Sequence, residues 1–578
     1  MSSTLADVIV ATLRASGVQR VYGIPGDSLN GFTDAIRRDG EIAWEHVRHE
    51  EAAAFAASGE GAVTGRLAVC AASCGPGNLH LINGLFEANR SRVPVLAIAA
   101  HVPAEEIGST YFQETHPQEL FRECSVYAEL VSVPEQLPRV LEIAMRTALE
   151  RGGVAVVIVP PELFLTRAPG NAVPRVVRPT ASVVRPSDEA LTEAAELLNH
   201  ASRVTILAGA GCQGSHDEVV ELAGVLQAPV VHALRGKEFI EYDNPYDVGM
   251  TGLLGFASGY HAMDHCDALL MLGTDFPYRP FYPDGAQVVQ VDIRGEHIGR
   301  RVPVDLALVG TVGDTIAALI DRLDPDRDPG HLRRMTAHYN RTRERLDELA
   351  HSHGDRGPIH PQVLARAIDT IAADDAVFIA DVGTPTLWAA RHLTMNGRRR
   401  LLGSFNHGSM ANALPQATGA QASQPGRQVV TLSGDGGLAM MMGELLTLRQ
   451  QDLPVKVVVC NNGSLAFVEL EMKADGFVNF GTDLDNPSFA QVGEAVGLHA
   501  VRIERPSQLG DGLRTAFAHP GPALVEVMTA RQELSIPPRI SVDQAKGFTL
   551  WATRSILSGR GDEVLEVAKT NLRELSLT

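Results

Sequence analysis

SGDGGLAMMMGELLTLRQQDLPVKVVVCNN, running from Ser433 to Asn462, is the stretch that decides the fold. The apolar run Val429–Ser433 ends in Gly434-Asp435-Gly436-Gly437, helical sequence follows, and a second apolar run, Val455–Cys460, ends in Asn461-Asn462. Strand, helix, strand in that order gives two neighbouring parallel strands. Both polar clusters then sit at the carboxyl edge, where open α/β sheets bind ligands. Asp435 offers a hard carboxylate oxygen and Asn462 an amide oxygen, both suited to Mg2+. Gly434, Gly436 and Gly437 let a diphosphate come close to the backbone, and free N–H groups at the helix start would add to its binding.

The same alternation recurs along the chain. Leu67–Ser73, a Cys74-Gly75-Pro76-Gly77 turn, a helix over about 78–89 and Pro94–Ala100 make another βαβ unit. Further apolar runs lie at Val154–Val159, Val204–Gly209, Ala268–Gly273, Val288–Ile293, Val377–Asp381 and Ala523–Val527. Repeated strand and helix imply doubly wound parallel sheets. A chain of 578 residues exceeds one hydrophobic core, and two aperiodic stretches divide it. The proline-rich stretch from Pro160 to Pro186 and a second break near His351–Pro361 give an α/β fold of three domains, 1–165, 187–335 and 362–535. Linkers at 166–186 and 336–361 and a C-terminal segment, 536–578, complete it.

Composition narrows the class. Hydrophobic residues at 45% and charged residues at 21% describe a globular protein. A net charge of -19 with no basic patch argues against nucleic acid as a partner. Six scattered cysteines read as reduced thiols in a cytoplasmic protein, and the N-terminal sequence shows no export signal. No run of about 20 apolar residues suggests a spanning helix.

Asp435 and Asn462, 27 residues apart, together resemble the thiamine-diphosphate motif of the pyruvate oxidase and acetolactate synthase superfamily. The resemblance implies a glutamate in the first domain that hydrogen-bonds the aminopyrimidine ring, and the segment Arg48 to Ala57 resembles the start of its helix, with Glu50 in the catalytic place and Glu51 beside it. A carboxyl in an apolar pocket holds its proton more readily, as donation to a ring nitrogen requires. Gly408-Ser409-Met410 matches the segment whose bulky apolar residue, here Met410, wedges between the cofactor rings. The family often has glycine next, where this chain has Ala411.

Over most of its length the chain is similar to the quinone-reducing pyruvate oxidases. That likeness implies FAD held in the middle domain by Thr251, Gly252, Leu253 and Leu254, by Gly273, Thr274, Asp275, Phe276, Pro277 and Tyr278, and by Asp292 near the adenosine end. Ser109 to Pro117 resembles the oxidase segment that sets an aromatic, Phe112, and an amide, Gln113, over the reacting carbon. Ser464, Leu465, Ala466 and Phe467 follow the oxidase pattern too, with the Ser464 backbone oxygen completing the Mg2+ sphere and Phe467 near the substrate methyl. Glu469, Glu471 and Lys473 read as a charged helix face. His49, His80 and His407 lie near these motifs without an assigned role.

The expected activity is oxidative decarboxylation of pyruvate to acetate and CO2 with thiamine diphosphate, Mg2+ and FAD, the electrons passing to a membrane quinone. A homotetramer peripheral to the inner face of the cell membrane is implied as well. The alternatives are a phosphate-dependent oxidase making acetyl phosphate, an acetolactate synthase and a non-catalytic scaffold. The tail resembles a lipid-binding segment, with Val564, Val567, Ala568, Leu572 and Leu575 at helical spacing. Its five basic residues (Lys546, Arg554, Arg560, Lys569, Arg573) balance five acidic ones (Asp543, Asp562, Glu563, Glu566, Glu574), so attraction to lipid would be mainly hydrophobic. The final residues, Leu572 to Thr578, depart from the family ending.

Overall fold

The computed structural model describes residues 3–571 except 171, 181, 352–354, 356–357, 532, 534–541 and 558–559. Its eighteen strands form three six-stranded sheets in which every strand pair is parallel. The first holds β1 (Arg20–Gly23), β2 (Ala43–His46), β3 (Ala68–Ala72), β4 (Val95–Ala100), β5 (Tyr127–Leu130) and β6 (Val154–Val159). The second holds β7 (Val204–Ala208), β8 (Val230–His232), β9 (Asp247–Met250), β10 (Ala268–Leu272), β11 (Gln287–Asp292) and β12 (Leu306–Val309). The third holds β13 (Val377–Ala380), β14 (Arg400–Gly403), β15 (Val429–Gly434), β16 (Lys456–Asn461), β17 (His499–Ile503) and β18 (Ala523–Met528). Inner strands such as β6 are buried along their whole length, because helices cover both faces.

Strand order positions the sites. The outer sheets share one topology, β2-β1-β3-β4-β6-β5 and β14-β13-β15-β16-β18-β17. The central sheet runs β12-β11-β10-β7-β8-β9, which read from its other edge is the 3-2-1-4-5-6 order of dinucleotide-binding sheets. Ligands in such sheets bind beyond the strand carboxyl ends where the order reverses. Those points fall between β1 and β3, between β7 and β10, and between β13 and β15.

First and third domains meet through two helices, Glu50–Thr64 and Ala413–Ser423. Glycines make the contact possible: a Cβ at Gly59 would lie 2.1 Å from the Gln416 carbonyl oxygen, and one at Gly419 1.8 Å from that of Ala56. The Tyr22 hydroxyl donates to Glu60 at 2.7 Å beneath this seam.

The second expected linker, 336–361, begins inside a twenty-residue helix, Gly330–Leu349. That helix buries only His331, Leu332 and Met335, so it lacks the apolar stripe by which a helix is recognised in sequence. Charge pairing holds it instead, with Arg343 Nη2 on Asp347 at 3.3 Å and Arg343 Nη1 donating to the Arg391 carbonyl at 2.9 Å. All six cysteines are buried and free. Among the described residues no helix is long and apolar enough to cross a membrane.

Candidate active site

In the third domain, register aligns the ends of β13, β15 and β16, with Ala380 opposite Leu432 and Gly434 opposite Cys460. Asp435 therefore starts its helix between Asp381 and Asn462. Its buried carboxylate accepts from Gly436 N at 2.9 Å through Oδ1, and from Gly463 N and Asn486 Nδ2, each at 2.8 Å, through Oδ2. Burial pushes this carboxyl up, and the three donors oppose the push. Two carboxylate oxygens offer about four lone-pair directions, so Oδ1 keeps one for a cation. Asn462 Oδ1 lies in the same turn, where it accepts from Ser464 N at 3.0 Å.

The cleft over this turn is lined by apolar side chains. A Cβ at Gly436 would meet Leu465 at 2.7 Å, Leu484 at 3.2 Å and the Met410 methyl at 3.6 Å. Gly408 (φ 77°) and Gly463 (φ 65°) adopt left-handed backbone at its rim. The donor set and the glycine-floored cleft fit a Mg2+ diphosphate.

Asp381 underlies the motif. A Cβ at Gly437 would lie 2.1 Å from Asp381 Oδ2, so only glycine fits there. Burial pushes the Asp381 carboxyl up to about 7, against N–H groups of Val382, Ala411 and Asn412. Its proton is bound more tightly in the folded than in the unfolded chain, so the stability it contributes is complete below about pH 4 and is lost as pH rises through 7. In Asp381→Asn, urea unfolding should lose this part of its pH dependence between pH 4 and 7.

Ala411, where the family often has glycine, has a φ of 67°. A left-handed alanine costs about 1–2 kcal/mol, partly offset by the greater unfolded-state freedom of glycine. Ala411→Gly should raise the unfolding free energy by about 0.5–1 kcal/mol in denaturant titration.

The first domain assembles a second group. Glu50 opens helix Glu50–Thr64, and its Oε2 lies 2.9 Å from Nδ1 of His80, on helix Pro76–Arg90. His49 caps the first helix by accepting from Glu51 N, and its ring stacks on that of His80 at 4.2 Å. The Phe112–Gln113 turn reaches the same place. Gln113 adopts a left-handed φ of 63°, a Cβ at Gly75 would strike its backbone at 2.7 Å, and Cys74 Sγ lies 3.6 Å from its Oε1. Phe112 is 77% exposed beside it.

Asn83 links the two domains, donating to Glu51 Oε1 at 2.7 Å and Ser409 Oγ at 2.9 Å, while its Oδ1 meets His407 Nε2 at 2.8 Å. The hydrogen-bond partner of Glu50 belongs to the first domain and the partners of Asp435 to the third.

In the central domain the loops after β7 and β10 touch. Gly211 N donates to the Gly273 oxygen at 2.9 Å, and a Cβ at Gly209 would meet Thr274 at 2.5 Å. Asp292 ends β11 and accepts from Arg294 N at 2.9 Å. Gly252 (φ 95°) packs on Phe276, with Tyr278 beyond, while Leu253 is exposed. Arg391 of the third domain holds the next turn through the Leu254 and Gly255 carbonyls, at 3.0 and 3.1 Å. Asp275 is engaged by Arg301 at 2.8 Å. The Thr251 hydroxyl is buried without a hydrogen-bond partner among the described residues. Two glycine loops at the order reversal and an unsatisfied hydroxyl fit an extended ligand such as FAD.

Helix Ala466–Ala474, which carries Phe467, corrects one expectation. Glu471 is exposed, but Glu469 and Lys473 are only 2% and 3% exposed. The Glu469 carboxylate accepts from Lys473 Nζ at 2.7 Å, from Ser464 Oγ at 2.6 Å and from Arg531 Nη2 at 3.2 Å. Burial alone would push the Glu469 carboxyl up, but these partners hold it down to about 2. The cover is the C-terminal helix Val542–Leu557. Its Trp551 ring lies 5.1 Å from Lys473 Nζ, its Gly547 abuts the Ala474 carbonyl, and its Arg554 donates to the Gly476 oxygen at 2.7 Å. The following helix, Gly561–Thr570, buries Val567 but leaves Ala568 exposed; Pro537, Pro538, Leu572, Arg573, Glu574 and Leu575 lie outside the described residues.

His80, Asp381, Asn486 and the Gly209–Gly211 loop had not been singled out for a role. The last two glycines carried a signal, since a Gly-x-Gly after an apolar strand marks a ligand loop.

Models of the thiamine pyrophosphate enzymes match all three domains: the N-terminal TPP binding domain over residues 3–120, the central domain over 191–319 and the C-terminal TPP binding domain over 381–527. A putative thiamine pyrophosphate-containing protein of Bacillus subtilis, YdaP, is 34% identical over 573 residues, 98% of either chain. Pyruvate oxidase of Lactiplantibacillus plantarum is 28% identical, spanning 93% of this chain and 90% of its own. An acetolactate synthase of Arthrospira platensis is 30% identical, spanning 92% and 95%. The protein belongs to the thiamine pyrophosphate enzyme family, and its three sheets correspond to that family's N-terminal, central and C-terminal domains.

Proposed function

We propose that the protein oxidatively decarboxylates pyruvate to acetate and CO2 and passes the electrons through FAD to a membrane quinone. When bound, thiamine diphosphate would supply the nucleophilic carbon and electron sink that release CO2 from a 2-keto acid, and FAD the two-electron acceptor. Asp435, Asn462 and the Ser464 backbone oxygen hold Mg2+ in this reading. Gly408, Ser409, Met410, Gly436, Gly437, Leu465 and Ala466 shape the diphosphate and ring cleft. Thr251–Leu254, Gly273–Tyr278 and Asp292 hold FAD, supported by the strand order of the central sheet and by the Thr251 hydroxyl, buried with no hydrogen-bond partner among the described residues.

Glu50 holds a proton at a carboxylate oxygen for the aminopyrimidine nitrogen, and His80 orients that carboxyl. Gln113 directs an amide at the pyruvate carboxylate while Phe112 and Phe467 line the reacting carbon and its methyl group; water reaches that carbon only after the two electrons have left, and supplies the second oxygen of acetate. One observation carries this reading: Glu50, His80 and Gln113, far apart in sequence, converge on the first turn of helix Pro76–Arg90.

The resemblance to the quinone-reducing pyruvate oxidases further implies a homotetramer built from dimers, in which the first domain of one copy and the third of another complete each site. Exposed Leu550, Ile556, Leu557 and Leu565 on the two C-terminal helices would give the peripheral contact with lipid at the inner face of the membrane.

Anaerobic mixing of the purified protein with thiamine diphosphate, Mg2+ and pyruvate tests the proposal. Bleaching of the flavin, followed by reoxidation with a quinone and release of acetate, is expected. Acetolactate formed without bleaching would favour the synthase, and acetyl phosphate formed with oxygen the phosphate-dependent oxidase. A protein without flavin, or with flavin unchanged and no product, would overturn an enzyme of either oxidase kind.

A further inference from the structure

In the central domain, helix Ala257–Asp264 ends in the sequence His261-Ala262-Met263-Asp264-His265. Residues four apart on a helix share a face, so His261 and His265 stand one turn above each other with Asp264 beside them. Ligand atoms of His261, Asp264 and His265 all lie within 4.8 Å of one another. A third imidazole comes from the neighbouring helix Gly330–Leu349, where the His338 ring centre is 5.1 Å from that of His261; the His265 ring centre lies 5.4 Å from that of His261.

We propose that His261, Asp264 and His265 form a binding site for a first-row divalent transition metal of the zinc class, with His338 of the neighbouring helix turning in as a fourth ligand, so that the metal pins the two helices together. Nothing in the thiamine or flavin chemistry uses these residues, so the site stands apart from the proposed function.

Three features support a cation there. His265 Nδ1 lies 2.8 Å from the His261 carbonyl oxygen; donating to it fixes the tautomer and leaves the Nε2 lone pair facing outward, the arrangement usual for metal-binding histidines. His261 Nδ1 is buried without a hydrogen-bond partner among the described residues. Asp264 sits exposed in the last helical turn, at the end of the helix dipole that disfavours a carboxylate. A cation would relieve both.

Tetrahedral Zn2+ needs ligand atoms about 3.4 Å apart, a contraction that rotation of partly exposed rings can supply. Arg341 and Arg345 near His338 repel any cation. That disfavours hard ions such as Ca2+ and leaves metals whose affinity comes from bonding to imidazole nitrogen. The consequence is mechanical, since helix Gly330–Leu349 also reaches the third domain through Arg343.

The test uses holoenzyme in excess Mg2+ and thiamine diphosphate, which fill the Asp435 site. Titration with Co2+, read by visible absorption, should give tetrahedral bands that saturate at one metal per chain and are displaced by Zn2+. His265→Ala and His338→Ala lie on partly or fully exposed positions and should fold. Each should weaken Co2+ binding about 100-fold, because even outer partners of metal-binding histidines are worth about 10- to 100-fold. Zn2+ should raise the melting temperature of the parent protein and not of the double variant. Absence of saturable bands, or bands and stabilisation equal in parent and double variant, would overturn the site.

Discussion

Asp435→Ala should bind neither Mg2+ nor thiamine diphosphate measurably, and it should be the most damaging single change in the third domain. Two effects add. The substitution removes the one anionic oxygen of the turn, leaving the amide of Asn462 and a backbone carbonyl to hold a divalent ion. It also strands Gly436 N, Gly463 N and Asn486 Nδ2, which all donate to this carboxylate. Each buried donor left unsatisfied costs about 1–3 kcal/mol, enough to loosen the 462–464 loop on which the cofactor would rest. Asp435→Asn separates the two effects. It keeps the shape and one acceptor oxygen, so its unfolding free energy should stay within about 2 kcal/mol of the parent while Mg2+ affinity falls about 100-fold or more. Isothermal titration with thiamine diphosphate at several Mg2+ concentrations reads the affinity and urea titration the stability. Near-parental cofactor binding by the asparagine variant would remove Asp435 from the metal sphere.

The third-domain motif was legible because it is local: one strand-helix-strand unit carries Asp435 and Asn462, and its geometry follows from periodicity alone. The longer inner strands were legible for a related reason, since burial on both faces writes a continuous apolar run, as in β4 and β6, whereas the short inner strands β1 and β8 passed unread. Edge strands left no such trace. In β5 and β2 no residue is fully buried, and each is four residues long. The first-domain group was half legible. Glu50 announced itself through its helix, but its partner His80 lies thirty residues away, and only the packing of helix Pro76–Arg90 beside helix Glu50–Thr64 joins them. Glu469 and Lys473 were misread for the same physical reason. Opposite charges four apart look like a solvated face, and what buries this pair is a tryptophan helix arriving from more than seventy residues downstream. Local pattern reports which groups could be exposed, whereas long-range packing decides which are.

Glu50→Gln should lower kcat about 10²- to 10⁴-fold, the range contributed by a positioned acid or base. The amide preserves the volume and one oxygen of the carboxyl. It stays within reach of His80, so folding, flavin content and thiamine affinity should change little. What it loses is the ability to carry a proton between its oxygen and a ring nitrogen. His80→Ala provides the contrast. Removing the imidazole 2.9 Å from Oε2 and the ring stacked on His49 frees the carboxyl to rotate, but leaves its chemistry in place. That variant should lose much less activity, about tenfold, with the loss confined to kcat and KM for pyruvate little changed. The ordering of the two variants is therefore the decisive reading. If the glutamine variant keeps kcat within tenfold of the parent while the alanine variant does not, the proton is held at His80, and Glu50 is only the group that positions it.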